Sequence, residues 1–288
     1  MAAPEFGIST HLFHDARLDR DHLVEVAAHG FEAIELFATR SHFDYHDPQA
    51  VEQLAEWLDD TRLSLHSVHA PITASLVNGV WGETWSTAVA DEARRAHTVA
   101  ECRQTLEMAK VLHYDYLVVH LGVPDDQKPG AGDNQRDAAR RTVEVLHETA
   151  EAAGVRLALE VIPNALSRPE TLVALIEDVL ELPRVGICLD TGHARILGDV
   201  VDAIETCSGH VLTTHLHDNH GRKDEHLVPF DGAIDWPAAL LAFQKVGYDG
   251  RWIFELATSP QPTNVLARAA KARRRFEETL GLADELLE

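Results

Sequence analysis

The chain alternates short apolar runs with stretches in which apolar residues recur at helical spacing, and it does so eight times. Short β-branched and aliphatic runs bounded by turn residues are typical of buried strands, and amphipathic stretches between them are typical of surface helices. The apolar runs are continuous rather than alternating, as in parallel strands covered on both faces. This pattern predicts a single-domain (β/α)₈ TIM barrel that spans residues 1–288.

Turn residues and the ends of the apolar runs set the boundaries of the predicted elements. The strands are Phe6–Thr10, Phe31–Phe37, Leu63–His69, Tyr116–His120, Arg156–Ile162, Val185–Asp190, the run Leu212–Thr214 before His215, and Arg251–Leu256. The helices are about Asp19–His29, Pro48–Asp60, Thr87–Leu112, a stretch ending at Gly154, Pro169–Leu180, Asp235–Val246 and Thr263–Glu288. Longer connecting segments follow the third and fourth strands.

Polar residues end six successive strands of this barrel. From the third strand to the eighth, the strand-end residues are His69, His120, Glu160, Asp190 with His193 just beyond it, His215 and Glu255. Active sites of TIM barrels lie at the carboxyl ends of the strands, so we expect these side chains to converge on one mouth. A structural ion pair is the alternative for any single acid. Several convergent acids cannot all form such ion pairs, because they lack basic partners at the mouth. Arg156 and Arg251 begin their strands and so lie at the opposite end of the barrel.

The densest group of metal-binding residue types is the twelve-residue stretch from His215 to His226, with four histidines and three acids. A lone histidine is more often a core residue with one satisfied nitrogen than a ligand. Carboxylates at this density, however, repel one another unless a cation holds them. Neutral imidazole with carboxylate suits zinc, manganese or iron. The sequence therefore predicts a divalent-metal site, with Zn²⁺ or Mn²⁺ as the expected ion.

Six segments together resemble the xylose isomerase-like barrel superfamily and, within it, proteins called sugar phosphate isomerases/epimerases. The segments are Val68–Pro71, Glu160 in Leu-Ala-Leu-Glu, Ile187–His193, His215–His226, Gly232–Trp236 and Ile253–Leu256. The resemblance covers nearly the whole chain. It implies a metal-dependent isomerase or epimerase of a sugar-like small molecule. The implied metal ligands are Glu160, Asp190, His215 and Glu255, with Glu160 and Glu255 also catalytic and His193 touching the substrate.

The same superfamily includes the endonuclease IV family of abasic-site nucleases, whose ligand pattern the chain also matches. Residues matching that trinuclear zinc cluster are His69, His120, Glu160, Asp190, His193, His215, Asp224, His226 and Glu255. The surrounding sequences Leu216–Asn219 and Phe230–Trp236 depart from the nuclease pattern, and no segment resembles a DNA-penetrating loop. The resemblance thus implies one to three metal ions. A multi-zinc phosphodiesterase or abasic-site endonuclease is the alternative function.

The charge of the ligand set separates the two functions physically. Three divalent cations on the four acids of the larger set would leave a positive cluster, which suits a phosphodiester and its developing charge. A single cation on three acids and one histidine would leave a net negative charge of one. That suits a neutral keto sugar or polyol, whose carbonyl the metal polarises while a carboxylate removes the neighbouring proton.

Besides His193, four residues are candidate substrate contacts. Trp81 and Trp85, in the segment after the third strand, can offer apolar faces to a sugar, although packing of this segment against its helix is the alternative. Arg222 and Lys223 are the basic pair inside the histidine-rich loop, and we expect them to contact a phosphate or another anionic group.

Three further polar residues have open roles. His11 and His14 follow the first strand, where they line the pocket or cap the barrel rim. Glu35, inside the second strand, is either a pocket residue or one member of a buried pair.

Composition limits the compartment and the partners. Twenty-five Lys and Arg against 47 Asp and Glu give a net charge of −22, which argues against nucleic acid or an anionic membrane as a partner. The three cysteines form no C-x-x-C pair, so a reducing cytoplasm is expected. No run approaches the roughly 18 apolar residues of a membrane span. The sequence leaves the oligomeric state open and is compatible with a homo-oligomer.

Overall fold

Eight parallel strands form a barrel in the computed structural model, which describes residues 4–77 and 79–287. These strands are β1 (Phe6–Ser9), β2 (Ala33–Phe37), β3 (Ser64–His69), β6 (Tyr116–Val119), β7 (Arg156–Glu160), β8 (Val185–Asp190), β9 (Val211–His215) and β10 (Trp252–Phe254). Between β3 and β6, β4 (Leu76–Val77) and β5 (Val80–Trp81) pair as an antiparallel hairpin. The predicted TIM barrel is therefore confirmed. Glu288, included in the last predicted helix, lies outside the described residues.

The strand order is β10-β1-β2-β3-β6-β7-β8-β9, and the barrel closes where the chain leaves β9. There the Leu216 N–H donates to the Ile253 carbonyl at 2.7 Å, and the Leu216 carbonyl accepts from the Glu255 N–H at 3.3 Å. These bonds hold the start of the histidine-rich loop against the end of β10. As a result, His215 and Glu255 lie at adjacent strand ends.

Nine α-helices are found in the described part of the chain. They are α1 (Arg20–Ala28), α2 (Pro48–Thr61), α3 (Glu92–Glu107), α4 (Arg136–Ala153), α5 (Pro169–Leu175), α6 (Thr191–Leu197), α7 (Val200–Thr206), α8 (Trp236–Lys245) and α9 (Pro262–Leu287). Aspartate side chains accept hydrogen bonds from the first-turn N–H groups of six of them, at Asp19, Asp47, Asp91, Asp190, Asp199 and Asp235. Such N-caps satisfy backbone donors that have no partner within the helix.

Two regions differ from the predicted elements. The predicted helix Thr87–Leu112 begins only at Glu92, because Asp91 caps it and the Thr87 hydroxyl instead donates to the His120 carbonyl at 2.5 Å. Helices α6 and α7, between β8 and β9, were not predicted. Each has seven residues, which is too short for a clear helical periodicity.

The apolar core lies mainly between the strands and the surrounding helices, with a small separate cluster of Val118, Ala158 and Cys188. Glu160 and Asp190 follow Ala158 and Cys188 by two residues on their strands, and side chains two apart share one side. The apolar cluster therefore lies beneath the acids. All three cysteines are free and buried. Among the described helices, none combines the length and apolarity needed to span a bilayer.

Candidate metal centre

Four strand ends bring together the side chains of the smaller predicted ligand set, Glu160, Asp190, His215 and Glu255. One ligand atom from each lies within 4.8 Å of the others. The Nδ1 atom of His215 is 3.3 Å from Glu160 Oε1 and 3.4 Å from Glu255 Oε2. None of the four residues is more than 3% exposed. This is the geometry that four protein ligands to one cation require.

Glu35 determines how His215 is presented to this group. The Nε2–H of His215 donates to Glu35 Oε2 at 2.9 Å, and the Ser67 hydroxyl donates to the same oxygen at 2.8 Å. In the neutral ring, Nδ1 of His215 therefore faces the acids with its lone pair. A carboxylate behind a ligating histidine fixes the ring and increases its basicity. Of the two roles left open for Glu35, the structure shows the buried pair.

Several buried polar atoms at the mouth have no hydrogen-bond partner among the described residues. They include both carboxylate oxygens of Glu160, Nδ1 of His193, Nδ1 of His215 and Oδ1 of Asp224. A buried polar atom without a partner is costly, and a bound cation would satisfy these lone pairs. The residues therefore fit a divalent cation, and their oxygen and imidazole donors suit Zn²⁺ or Mn²⁺.

The charges of the cluster stabilise one another. Burial alone would raise the pKa of Glu160, but His120 and His215 hold that pKa well below its usual range. Burial alone would lower the pKa of His215, but carboxylates including Glu255 and Glu35 raise it well above its usual value. A cation at His215 must therefore displace a proton, so its affinity should fall as the pH is lowered.

His69 and His120 form a second group with Glu160. Their Nε2 atoms lie 3.3 and 3.1 Å from Glu160 Oε2, and the three ligand atoms are within 4.8 Å of one another. The Nδ1–H of His69 donates to the Ala70 carbonyl at 2.8 Å, which leaves Nε2 as the atom available to a ligand. These predicted additional residues thus share an acid with the four-residue group.

His193, Asp224 and His226 lie on the other side of the mouth. Asp224 Oδ2 is 3.2 Å from His193 Nε2 and 2.9 Å from His226 Nε2. His193 also reaches the first group, since its Nδ1 is 3.4 Å from Glu160 Oε1. The structure therefore brings all nine residues of the larger predicted set into one continuous cluster.

His217 belongs to the cluster but was not among the predicted ligands. Its Nε2 lies 3.0 Å from each carboxylate oxygen of Asp190, and its ring stacks on His226 with centroids 4.0 Å apart. Gly192 makes room for the ring, because a Cβ there would lie 1.9 Å from His217 Cε1. The available sequence signal was the position of His217 two residues after His215, with a glycine two residues after Asp190.

Two cavities adjoin the cluster and contain the predicted substrate contacts. The first cavity has a volume of about 300 Å³ and is lined in part by Trp81, Trp85 and His120. Trp85 also packs edge-on against His97, with centroids 4.9 Å apart, so the predicted packing role applies to it as well.

The second cavity, of about 270 Å³, places cationic side chains beside the cluster. Arg222, Lys223 and Arg168 line it together with Asp224. Arg168 was not predicted as a site residue, because it lies 54 positions before Arg222 in the chain.

Comparisons with known proteins agree with this architecture. A family model described as xylose isomerase-like TIM barrel matches residues 23–278. An uncharacterized protein of Methanocaldococcus jannaschii is 28% identical over 253 residues, which cover 85% of this chain and 81% of that protein.

Two similar solved structures are described as epimerases or epimerase-like proteins. The crystal structure of a D-tagatose 3-epimerase-like protein is 26% identical, with a TM-score of 0.80, and the match covers 99% of this chain and 100% of that one. The structure of an L-ribulose 3-epimerase is 22% identical, with a TM-score of 0.77 and coverage of 99% and 98%.

Proposed function

The chain belongs to the xylose isomerase-like TIM barrel family, and we propose that it is a divalent-metal-dependent isomerase or epimerase of a sugar, sugar phosphate or related polyhydroxy compound. The observation that carries this proposal is the convergence of Glu160, Asp190, His215 and Glu255 within 4.8 Å. The similarity to a D-tagatose 3-epimerase-like protein supports it. Fold alone would not, because TIM barrels host many chemistries.

In this proposal the four-residue group holds Zn²⁺ or Mn²⁺ through its unsatisfied oxygen and imidazole atoms. A divalent cation supplies Lewis acidity, which polarises a carbonyl and acidifies the neighbouring C–H bond. Glu160 and Glu255 would take and return the proton, since their carboxylates flank His215 at 3.3 and 3.4 Å. The depressed pKa of Glu160, which burial opposes and His120 and His215 cause, keeps this carboxylate ionised as a base must be.

The surroundings of the mouth support a sugar-sized substrate. A cavity of about 300 Å³ lined by Trp81, Trp85 and His120 is at the lower end of small-molecule sites. The two indoles would cover apolar faces of the substrate. Arg222 and Lys223 would contact an anionic group, where the substrate has one, from the neighbouring cavity. His193, next to Glu160, would hydrogen-bond a substrate oxygen.

Deuterium exchange tests this chemistry directly. In heavy water, the metal-loaded protein should incorporate deuterium at the carbon beside the carbonyl of one or more ketohexoses. Glu160→Gln and Glu255→Gln keep the side-chain shape but remove the base, so the exchange rate should fall by about 10² to 10⁴. Glu52→Gln, on the exposed face of α2, is the matched control. Full exchange by both site variants would contradict the proposal.

A multi-metal phosphodiesterase of endonuclease IV type is the second candidate, because further ligand groups adjoin the first. They include His69 and His120 with Glu160, and His217 with Asp224 and His226. Two experiments discriminate between the isomerase and the phosphodiesterase. They are an anomalous-scattering map at the metal edge and a cleavage assay on an abasic-site oligonucleotide. Three peaks within about 5 Å of each other with cleavage would favour the hydrolase. The net charge of −22 argues for the isomerase.

A further inference from the structure

Four histidine rings form a stacked column along the mouth of the barrel, in the order His14, His11, His226 and His217. Successive ring centroids are 4.3, 4.8 and 4.0 Å apart, and the interplanar angles are between 15° and 29°. The inner end of the column is His217, whose Nε2 contacts the Asp190 carboxylate within the cluster of acids and histidines described above. At the outer end His14 meets Trp81, with centroids 5.2 Å apart. The column therefore connects this cluster of acids and histidines to the indole of Trp81, which lines the adjoining cavity.

Backbone carbonyls fix the hydrogen positions of three of these rings. Nδ1 of His14 lies 2.6 Å from the His11 carbonyl, Nδ1 of His11 lies 2.8 Å from the Leu256 carbonyl, and Nδ1 of His226 lies 3.1 Å from the Glu255 carbonyl. A carbonyl oxygen can only accept, so each Nδ1 carries the hydrogen. In the neutral rings each Nε2 is then an acceptor.

His11 differs from His226 in what its Nε2 meets. His226 Nε2 belongs to a ligand group with Asp224 and His217. His11 belongs to no such group among the described residues, and its Nε2 has no hydrogen-bond partner there. Its ring is half-buried, held between His226 and His14 and edge-on to Phe37 at 5.0 Å. The ring is thus held by one hydrogen bond and three ring contacts, and its Nε2 acceptor has no partner among the described residues.

We infer that His11 is a substrate-positioning residue whose Nε2 accepts a hydrogen bond from a substrate hydroxyl group. This inference rests on the proposed function. An acceptor lone pair attracts an O–H group and repels a carboxylate or phosphate oxygen. The part of the substrate at His11 therefore carries a free hydroxyl. Any anionic group of the substrate lies instead toward the cavity lined by Arg222 and Lys223.

The test uses the full-length, metal-loaded protein and two substitutions. His11→Phe keeps a flat ring in the stack and removes the acceptor, whereas His11→Gln keeps an acceptor oxygen. The probes are D-fructose, D-tagatose and D-psicose, with analogues that each lack one hydroxyl. Loss of one neutral hydrogen bond should raise KM in His11→Phe by roughly 2- to 13-fold, with kcat changed by less than about twofold. His11→Gln should restore part of the loss. His113→Phe, an exposed position, is the control.

The analogues identify the hydroxyl group. For the sugar that lacks the hydroxyl bound by His11, wild type and His11→Phe should have the same KM, while the other analogues keep the difference. An equal rise of KM for every analogue would mean a merely structural role, and it would overturn the inference. Loss of metal from His11→Phe, measured by elemental analysis, would also overturn it, because His11 would then be a ligand.

Binding measurements separate this inference from the proposed function. If the wild-type protein exchanges no ketohexose, the proposed function fails, and saturation-transfer NMR with the same sugars then tests His11. Weaker binding to His11→Phe than to wild type would support the hydrogen bond. Equal binding, or none to either protein, would overturn it. Exchange by wild type that is unaffected by His11→Phe would overturn this inference alone.

Discussion

Oε2 of Glu35 lies 2.9 Å from Nε2 of His215, and both side chains are fully buried. The contact decides which nitrogen of His215 faces Glu160 and Glu255. Burial would raise the pKa of Glu35, but His215 holds that pKa below its usual value, so the carboxylate is ionised. Glu35 therefore orients His215 toward the candidate metal centre, although the two residues are 180 positions apart in the chain.

Glu35→Gln should weaken metal binding without disturbing the fold. The amide keeps the shape of the side chain but removes the charge that orients His215, and outer-shell changes of this kind cost about 10- to 100-fold in metal affinity. Competition between the protein and a chromophoric chelator for Zn²⁺ measures the change. The exposed Glu52→Gln substitution should leave affinity unchanged. Equal affinity of Glu35→Gln and wild type would show that Glu35 has no such role.

Removal of the metal should destabilise the protein. A ligand present at about 100 times its dissociation constant adds about 2.7 kcal/mol to the free energy of unfolding. Chelation should therefore lower the melting temperature, and added Zn²⁺ or Mn²⁺ should restore it. His215→Ala and Asp190→Asn should lose most of the bound ion and most of this response. A protein that stays metal-free after soaking, with no thermal shift, would refute the metal site.

Asp224 and His226 should not be needed for metal binding by the four-residue group. Asp224→Ala combined with His226→Ala removes the pair joined at 2.9 Å but leaves Glu160, Asp190, His215 and Glu255 intact. We expect this variant to keep one tightly bound ion and to bind substrate more weakly. Elemental analysis and the KM for deuterium exchange measure the two effects. Complete loss of metal would show that the two sets of residues form one indivisible site.

Gly192→Ala should destabilise the protein through His217. The added Cβ would lie 1.9 Å from His217 Cε1, so the ring must leave its place on Asp190. Such overpacking costs about 1–3 kcal/mol in the free energy of unfolding. In a chain that already carries His217→Ala the clash is absent, and Gly192→Ala should cost less by about 0.5–3 kcal/mol. Additive effects of the two substitutions in urea denaturation would contradict this explanation.

Glu101 should make stability depend on acid pH. Burial would raise its pKa, but hydrogen bonds from the Tyr45 hydroxyl at 2.7 Å and His46 Nε2 at 2.9 Å lower it below the usual 4.5. A carboxyl whose pKa is lower in the folded state stabilises the protein above its usual pKa, and this stabilisation is lost as the pH falls through the folded-state value. The difference in free energy of unfolding between wild type and Glu101→Gln should therefore shrink below about pH 4.5. Metal-free samples of both proteins remove the contribution of the ligand groups, and a difference independent of pH would contradict the assignment.

The residues of the principal ligand group could be located from sequence because they follow local rules. Glu160 and Asp190 each end an apolar run, and parallel strands of a barrel present their carboxyl ends at one mouth. Period-two alternation then places each acid on the same side as Ala158 or Cys188, inside the barrel. The helix boundary at Asp91 was harder to predict from sequence, because it depends on the contact between Thr87 and the His120 carbonyl as well as on periodicity.

By itself, the sequence determined the barrel and the acids and histidines at the ends of its strands, because strand periodicity and strand-end positions are local properties of the chain. Only the tertiary structure decided how those side chains are oriented. Glu35 fixes His215 across 180 positions, and the Leu256 carbonyl fixes His11 across 245. Which nitrogen of an imidazole carries the hydrogen depends on the partner that folding places beside it, and no local pattern encodes that partner.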